Sequence, residues 1–398
     1  MNQKVLIYMQ ASELKPVGGP QGYVYNLKQG IGSDEAKDCN IYFIESGREL
    51  INSTKNKIEG MKTGALKSVL IVVKSIVKHW LLIYGKNHKA LCDLNEYDFV
   101  HFHSTQDMYN VRDSLKDYTG KIILTSHSPT IRSKELVAAR SEFERKYFKF
   151  LYSKMIRMDE YAFEKADYIV FPCPEAEEPY YHTWDKYKDI KQKKESAYRY
   201  VVTGIPQCAA KKPRNVVRKE CGIPNDAFVI SYIGRHSEIK GYDILKEMGE
   251  CLLDQTEIYI LVAGKEVPIC GLKHPRWIEI GWTNDPHSYM AAADIFVLPN
   301  RETYFDLILL EALSLGKIIV ASRTGGNKYF EKIGAKGIFL YDTEEEAINI
   351  INNIRGLSSE EKRVLEHENL ELYKKKFTCK AFADSYLKLY NDLRAENK

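Results

Sequence analysis

The chain has 398 residues, 44% hydrophobic and 28% charged, a composition typical of a globular protein with a substantial core. Its length exceeds that of one ordinary domain, so we expect two domains of similar size. The net charge of +4 is too small to indicate nucleic acid as the main ligand. The eight cysteines include no C-x-x-C pair, which argues against zinc or a disulfide framework and favours a reducing compartment.

The sequence enters an apolar run at Val5 without a signal-peptide pattern, so we expect a cytoplasmic protein. Short apolar runs with high β propensity alternate with helical patterns along the chain. Such alternation, with nearly continuous apolar strands, predicts an α/β fold of parallel sheets covered by helices on both faces. The predicted strands begin at Val5, Ile41, Phe99, Lys121, Tyr168 and Tyr198 in the first half, and at Phe228, Ile258, Trp277, Ile295, Lys317 and Gly337 in the second.

A stretch with Gly, Pro and charge but no periodicity, residues 204–215, predicts a hinge between the halves. We therefore expect one Rossmann-like domain over residues 1–205 and a second over 206–379. A last helix, residues 380–398, is expected to pack back on the first domain. Two open α/β domains facing each other across a cleft would hold their ligand at the carboxyl ends of their strands.

One run, residues 305–315, is apolar nearly all round and carries a single acid, Glu311. Such a helix is buried, and a buried carboxylate is costly unless it has partners. Glu311 could be satisfied by a neighbouring strand or could accept ligand hydroxyls, and we favour the second interpretation. The first-turn N–H groups of the helix suit a phosphate. They precede Glu311 by about 10 Å of helix, near the span from a nucleotide's diphosphate to its ribose.

A cation is then expected to face the phosphate from another loop. The strand ending at Gly234 is followed by Arg235, and Lys240 opens the next helix. An Arg fork and a Lys point charge at the carboxyl end of a strand suit a diphosphate. Two such cations alone are more often solvated loop residues. Together with the Glu311 helix, they are interpreted as phosphate ligands.

Five stretches resemble the retaining glycosyltransferases of family four, which have the GT-B fold. These are VGGPQGYVYNLKQG, YIGRHSEIKGYDIL, LVAGKE, IEIGWTNDPHSYMAAADIFVLPNRE and LLEALSLGKIIVASRTGGN. The resemblance implies retaining transfer of a hexosyl-type sugar from a nucleotide-sugar, expected to be a UDP-sugar, to a saccharide. It assigns the acceptor to residues 1–205 and the donor to residues 206–379. No other cofactor is expected, and the absence of a D-x-D pair predicts catalysis without a metal.

The resemblance also implies roles for individual residues. The diphosphate would lie between Arg235, Lys240 and the helix tip, Glu311 would bind the ribose, and His127 would lie beside the donor sugar. His101 and His103 are weaker candidates, with His103 on the acceptor side. In the family, the N-terminal glycine loop closes over the donor, and the loop after the fourth C-terminal-domain strand reads the base. The expected catalytic residues are His127, Arg235 and Lys240, and the expected donor-binding residues are Gly18, Gly19, Gly281, Trp282, Thr283, Thr303, Asp306, Leu307, Ile308 and Glu311.

The sequence departs from the family at the helix tip. The family's first Glu lies eight positions before its second, where this chain has Thr303, and Asp306 stands where the family has Gly. The T-x-x-D spacing predicts a capping box with Thr303 as the N-cap. Because the family's first Glu binds donor-sugar hydroxyls, either Asp306 or Glu302 takes over that role or the activity is lost. We favour the first alternative because the phosphate and ribose ligands are retained.

Residues 65–89 predict a basic, apolar helix in the acceptor domain. Lys67, Lys74 and Lys78 share one side of it, and an apolar arc of Val69, Val72, Val73, Ile76, Trp80 and Ile83 lies opposite. The interior lysines argue against a spanning helix. The helix either packs its apolar arc on its own sheet or rests on an anionic bilayer that holds a polyprenyl-diphosphate-linked acceptor. The two combine if the lysines face lipid and the valines face the core.

The segment 171–184 concentrates acids, prolines and aromatics after a strand. Aromatic rings and carboxylates suit sugar binding, so Glu175, Glu177 and Glu178 are candidate acceptor contacts. A rigid surface loop explains the composition equally well.

These observations predict a retaining, metal-independent glycosyltransferase for cell-surface polysaccharide biosynthesis, on the inner face of the cell membrane. The alternatives are a nucleotide-sugar epimerase on the same fold and a non-catalytic, glycan-binding partner subunit.

Overall fold

The computed structural model describes residues 3–10, 14, 19–44, 65–86, 88–138 and 140–397. Gly18, which we expect in the donor loop, lies outside the described residues. The predicted α/β fold is confirmed, because the strands form two parallel six-stranded sheets. Each strand starts within a residue of its predicted position, since short apolar runs bounded by turn signals are typical of buried strands.

The first sheet has the strand order β2-β1-β3-β4-β5-β6, with every pair parallel. All four residues of β1 and of β3 are buried, as expected for strands covered on both faces. Its strands are β1 (Val5–Tyr8), β2 (Ile41–Phe43), β3 (Phe99–Phe102), β4 (Lys121–Thr125), β5 (Tyr168–Phe171) and β6 (Tyr198–Tyr200).

The second sheet has the order β12-β11-β10-β7-β8-β9, again parallel throughout. The strand order reverses between β7 and β10, so the loops after these two strands flank a topological switch point, where open α/β sheets bind ligands. Its strands are β7 (Phe228–Ile233), β8 (Ile258–Ala263), β9 (Trp277–Gly281), β10 (Ile295–Leu298), β11 (Ile318–Ser322) and β12 (Ile338–Tyr341).

Helices connect the strands, as parallel pairing requires. In the first half they are α1 (Pro20–Ile31), α2 (Ser33–Asp38), α3 (Ala65–Tyr84), α4 (Thr105–Asn110), α5 (Arg132–Ala138), α6 (Glu142–Tyr147), α7 (Lys149–Tyr152), α8 (Ile156–Lys165), α9 (Glu178–Thr183) and α10 (Tyr187–Lys193). In the second half they are α11 (Arg214–Glu220), α12 (Tyr242–Leu253), α13 (Pro286–Ala292), α14 (Leu307–Ser314), α15 (Lys328–Lys332), α16 (Glu344–Gly356), α17 (Ser359–Lys376) and α18 (Cys379–Glu396).

Local sequence explains several helix starts. Ser141 and Ser358 each close a capping box with the Glu three residues later, which satisfies two first-turn N–H groups. Asp285 is the N-cap of α13 and accepts the Ser288 N–H at 3.4 Å, and Pro286 takes the first helical position. These devices fix where α13 begins and therefore where its second residue, His287, stands.

The chain divides into two structural units. The first unit contains Met1–Phe171, Tyr180–Val201 and Ala383–Lys398, and the second contains Pro172–Pro179 and Val202–Phe382. The division near Val202 lies close to the predicted boundary. The segment Pro172–Pro179 differs from the prediction, because it belongs to the second unit. No helix in the described part of the chain combines the length and the apolar character needed to cross a bilayer.

Candidate nucleotide-sugar site

The loops after β7 and β10 lie against each other at the switch point of the second sheet. The Arg301 N–H donates to the Ile239 carbonyl at 3.1 Å. Gly241 has a positive φ of 62°, and a Cβ added to it would lie 1.6 Å from the Pro299 carbonyl oxygen. Glycine is favoured by this left-handed backbone conformation, and only glycine, which has no Cβ, permits this close approach. The contact brings the two loops that carry the predicted phosphate ligands together.

Lys240 reaches across these loops to Asp306. Its Nζ lies 3.0 Å from both carboxylate oxygens, and the side-chain amide of Asn300 also donates to Asp306. Arg235 is exposed and has no ion pair in the described part of the chain, while its carbonyl accepts the Tyr232 hydroxyl at 2.8 Å. The two predicted phosphate ligands therefore differ: Arg235 is available, and Lys240 is already neutralised.

Helix α14 begins at Leu307, later than the capping-box pattern predicts, and that prediction is wrong. Asp306 itself occupies the N-cap position with extended backbone, and its side chain makes no capping hydrogen bond because it binds Lys240. Thr303 lies in the preceding loop, 1% exposed, and its hydroxyl has no hydrogen-bond partner within the described residues. The first-turn N–H groups of α14, at Leu307 and Ile308, are therefore not capped by either side chain.

Glu311 lies on the second turn of α14 and pairs with a histidine. Its side chain is 28% exposed, so the predicted deep burial is wrong. Its Oε2 lies 2.9 Å from Nε2 of His287, on helix α13. Hydrogen bonds to Cys208 and Glu311 raise the pKa of His287 to about 10. Glu311 thus has a charged partner on a helix, rather than on a neighbouring strand, and His287 holds its carboxylate in place.

Sequence reasoning missed His287. Its partner is 24 positions away in the sequence, and no local pattern pairs a residue of α13 with one of α14. The ligand atoms of Cys208, His287 and Glu311 all lie within 4.8 Å of one another, an arrangement that could hold a metal ion. The sequence shows no metal-ligand spacing because the three residues come from separate elements. The observed hydrogen bond between His287 and Glu311 uses one ring nitrogen and one carboxylate oxygen of this group.

The predicted base-reading turn, Gly281–Thr283, follows β9, the third strand of its sheet in chain order rather than the fourth. Gly281 has a φ of 72°, in the left-handed region that favours glycine. Trp282 is 70% exposed, and Thr283 accepts the Asp285 N–H at 3.0 Å. The turn therefore presents an unburied aromatic ring near the start of the helix that carries His287.

In the first unit, three histidines stack at the carboxyl ends of β3 and β4. The ring centroids of His101 and His103 lie 4.2 Å apart, and those of His103 and His127 lie 5.3 Å apart. His103 Nδ1 is 3.1 Å from His127 Nε2. Tyr23, on the helix that follows Gly19, packs edge-on against His127 at 4.3 Å. The helix that follows the glycine loop therefore contacts the histidine cluster through Tyr23, a residue that the sequence analysis did not identify.

Burial governs the protonation of these histidines. It lowers the pKa of His101 and of His127 to about 3, and that of His103 well below its usual range. His101 makes hydrogen bonds of 2.8 Å to Tyr390 and 2.7 Å to Thr125, which fix its ring without adding a charge. At neutral pH the cluster is uncharged, so His127 is suited to hydrogen bonding rather than to donating a proton.

The acidic residues proposed as acceptor contacts are paired inside the second unit. Glu178 forms an ion pair with Lys328 and accepts the Gly325 N–H at 3.3 Å. Glu175 forms an ion pair with Lys332. Two of the three predicted acceptor carboxylates are therefore occupied by basic partners of α15.

Part of the apolar arc of helix α3, which we predicted to face the core, is exposed. Val69 and Val73 are 57% and 49% exposed, and Trp80 is 49% exposed. Ser75, His79 and the end of the helix at Ile83 are buried instead. The prediction that the valines face the core is wrong for Val69 and Val73, because the helix packs through the side that carries Ser75, His79 and the apolar Ile83. The side chain of Lys67 lies outside the described residues.

A family model matches part of the second unit. Residues 227–359 match the family model "Glycosyl transferases group 1", a range that includes Arg235, His287 and Glu311. The chain is 24% identical over 187 residues to the O-antigen biosynthesis glycosyltransferase WclY of Escherichia coli, covering 45% of this chain and 51% of that protein. It is 27% identical over 187 residues to the lipopolysaccharide core biosynthesis glycosyltransferase LpsE of Rhizobium meliloti, covering 44% and 53%.

The chain thus spans about half the length of the curated relatives it matches. Among solved structures, HepE from Anabaena in complex with UDP aligns with a TM-score of 0.60 at 15% identity, covering 98% of this chain and 100% of that one. Sucrose-phosphate synthase from Thermosynechococcus elongatus aligns with a TM-score of 0.59 at 16% identity, covering 98% and 99%. The chain therefore has the GT-B fold, and its second unit is related to the glycosyl transferases of group 1.

Proposed function

We propose that this protein is a retaining glycosyltransferase that transfers a sugar from a UDP-sugar to a saccharide without a metal ion. One observation carries the proposal. At the switch point of the second sheet, the loop with Arg235, which has no ion pair within the described residues, reaches the start of α14 through the Lys240–Asp306 contact, and Glu311 lies one turn along that helix. An open sheet binds its ligand at this place, and these groups match the parts of a nucleotide diphosphate.

The donor is proposed to bind along α14. Its diphosphate accepts hydrogen bonds from Arg235 and from the N–H groups of Leu307 and Ile308. The ribose hydroxyls donate to Glu311, which is about 6 Å of helical rise beyond Leu307. His287 keeps the Glu311 carboxylate oriented through the 2.9 Å contact.

Transfer then depends on stabilising the leaving diphosphate. Arg235 supplies fixed positive charge, and Lys240 adds a second charge when it exchanges the Asp306 carboxylate for phosphate. A leaving phosphate oxygen takes the acceptor's proton, so no side chain is required as a general base. A neutral His127 agrees with the proposed role of this residue as a hydrogen-bonding contact of the sugar rather than as a proton donor.

The named relatives support the class of donor and product. HepE has been crystallised with UDP, and separately with UDP-glucose. WclY and LpsE are named for O-antigen and lipopolysaccharide core biosynthesis. We propose that this chain likewise builds a cell-surface polysaccharide, on a polyprenyl-diphosphate-linked acceptor at the inner face of the cell membrane.

Exposed apolar side chains of the first unit support contact with a membrane. Besides the exposed arc of α3, helices α6 and α7 carry Phe143, Tyr147 and Phe150, each between 56% and 60% exposed. Basic residues stand among these aromatics, including the exposed Lys146 and Lys149. Aromatic rings interleaved with lysines suit the interface of an anionic bilayer.

The proposal is tested by screening nucleotide-sugars for binding and slow hydrolysis, with Arg235→Ala as the site variant and the exposed Arg363→Ala as its control. Arg235→Ala is expected to weaken binding of the preferred donor about 10- to 100-fold, because it removes charge-assisted hydrogen bonds to phosphate. Arg363→Ala should leave binding unchanged. EDTA is expected to leave transfer unchanged.

Several outcomes would overturn parts of this proposal. Unaltered donor binding by Arg235→Ala would remove the phosphate assignment. Conversion of the nucleotide-sugar to an isomer without an acceptor would indicate an epimerase, and glycan binding without any donor binding would indicate a non-catalytic partner. Loss of transfer in EDTA would contradict metal independence and direct attention to Cys208, His287 and Glu311.

A further inference from the structure

A groove of about 380 Å³ lies in the first unit between α3 and α4. One face of α3 lines it with two apolar side chains, Val77 and Leu81, which are 50% and 51% exposed, and with Lys74 and Lys78 beside them. Helix α4 adds the polar side chains of Gln106 and Asn110. The groove therefore combines a strip for hydrocarbon with a strip for negative charge.

Acids balance the positive charge at the groove only in part. Lys74 and Lys78 form no ion pair in the part of the chain that the structure describes. Partial burial, and then the positive charges of Arg132 and Arg140, lower the pKa of Lys78. Asp107 acts in the opposite direction, but burial raises its own pKa to about 6. A bound anion would relieve the repulsion among these cations.

The two arginines near Lys78 already have partners of their own. Arg132 forms an ion pair with Glu135 at 2.9 Å, and Arg140 donates a hydrogen bond to the Ser75 hydroxyl at 2.7 Å. Lys74 and Lys78 therefore remain the cations that an incoming ligand can reach at the groove.

The groove also lies where the first sheet would hold a ligand. The order of its strands reverses between β1 and β3, which makes the carboxyl ends of these strands a switch point. Helix α4 follows β3, and its Asp107 accepts the Gln10 N–H from the loop after β1 at 3.2 Å. Gln106 therefore stands beside the contact that joins the two switch-point loops.

We propose that this groove binds an amphipathic phosphate ester, namely the phosphate or diphosphate of the lipid-linked acceptor. Lys74 and Lys78 contact the phosphate oxygens, and Val77 and Leu81 pack against the first part of the hydrocarbon chain. The proposal rests on the proposed function, because it assigns a place to the lipid that carries the acceptor sugar. In this proposal Lys74 and Lys78 bind one phosphate ligand, rather than attracting anionic lipids in general.

The test measures binding of farnesyl diphosphate by calorimetry in the full chain. All variants carry Arg235→Ala, so that the diphosphate is not captured by the proposed donor site. Lys74→Gln with Lys78→Gln is expected to weaken binding at least about 10-fold, because two charge-assisted contacts are lost. The matched control, Lys188→Gln with Lys193→Gln, removes two exposed lysines of the same unit and should leave binding unchanged.

Binding of inorganic diphosphate and of farnesol measures the contributions of the charged and the hydrocarbon parts of the ligand separately. Val77→Ser with Leu81→Ser is expected to weaken farnesyl diphosphate binding and to leave inorganic diphosphate binding unchanged. Equal affinity for inorganic and farnesyl diphosphate would overturn the lipid assignment in favour of a free-phosphate site. Unchanged binding in the Lys74/Lys78 variant would overturn the groove itself.

Failure of this proposal is distinguishable from failure of the proposed function. UDP binding is measured in the Lys74/Lys78 variant with Arg235 intact, and it is expected to match that of the unaltered chain. Intact UDP binding with no lysine-dependent lipid binding would overturn the groove and retain the donor site. Lysine-dependent lipid binding in a chain that binds no nucleotide-sugar would retain the groove and overturn the transferase.

Discussion

In the second unit, His287 lies 2.9 Å from a carboxylate and its pKa rises to about 10. In the first unit, His101 and His127 lie among other rings, and burial lowers the pKa of each to about 3. The same side chain is therefore a cation in one unit and neutral in the other at physiological pH. The difference comes from the partner: a carboxylate stabilises the charged ring, whereas uncharged rings offer nothing to offset desolvation.

The comparison separates two kinds of chemistry. The second unit has five charged side chains at its candidate site, which suit the binding of a charged nucleotide: Arg235, Lys240, Asp306, His287 and Glu311. The first unit presents an uncharged cluster, which suits hydrogen bonding to sugar hydroxyls. Substitutions in one unit should therefore affect charge-dependent binding, and substitutions in the other should affect stability at acid pH.

The largest effect is expected from Glu311→Ala. It removes the proposed ribose acceptor and leaves His287 without its carboxylate partner, so UDP binding should weaken about 10- to 100-fold. Calorimetric titration with UDP measures this change, and the exposed Glu345→Ala serves as the control. UDP affinity that survives Glu311→Ala would show that the charged pair belongs to folding rather than to the donor.

A smaller effect of opposite sign is expected from Asp306→Asn. This change removes the negative charge beside the phosphate site and frees Lys240, so UDP should bind about 3- to 10-fold more tightly. If Asp306 also holds the donor sugar, as proposed for the altered helix tip, a UDP-sugar should gain less than UDP does. Weaker UDP binding would mean instead that Asp306 holds Lys240 in its binding position.

A third group of effects is expected in the pH dependence of stability. Unfolded histidine titrates near 6.5, above the folded cluster, so the unfolded chain binds more protons as pH falls. The cluster's contribution is therefore complete above pH 6.5 and is lost as pH falls toward 3. His287 shows the reverse sign: its contribution is complete below pH 6.5 and is lost as pH rises toward 10.

Urea midpoints measured from pH 4 to pH 9 test both limbs. His103→Leu should flatten the acid limb, and His287→Gln should flatten the alkaline limb, each by up to about 1.4 kcal/mol per pH unit. The exposed His367→Gln should change neither. An acid limb that keeps its slope in His103→Leu would refute the neutral cluster.

The strands and the apolar run of α14 were predictable because their signals are local. Runs such as those at Val5 and Phe228 are apolar, short and bounded by polar residues, and they form strands where predicted. The start of α14 was not predictable, since Thr303 and Asp306 have the spacing of a capping box. The Asp306 carboxylate binds Lys240, 66 positions away in the sequence, instead of capping the helix. A charge-assisted hydrogen bond to Lys240 stabilises the carboxylate more than a hydrogen bond from a backbone N–H does.

By itself, the sequence determined two parallel α/β sheets and the placement of Arg235, Lys240 and Glu311 near one edge of the second, because strand periodicity and chain order are local properties. Only the tertiary structure decided which charges meet. It paired Lys240 with Asp306, His287 with Glu311 and Glu178 with Lys328, across separations of 66, 24 and 150 residues. Such pairs depend on which loops and helices lie together after folding, and no periodicity in the chain records that proximity.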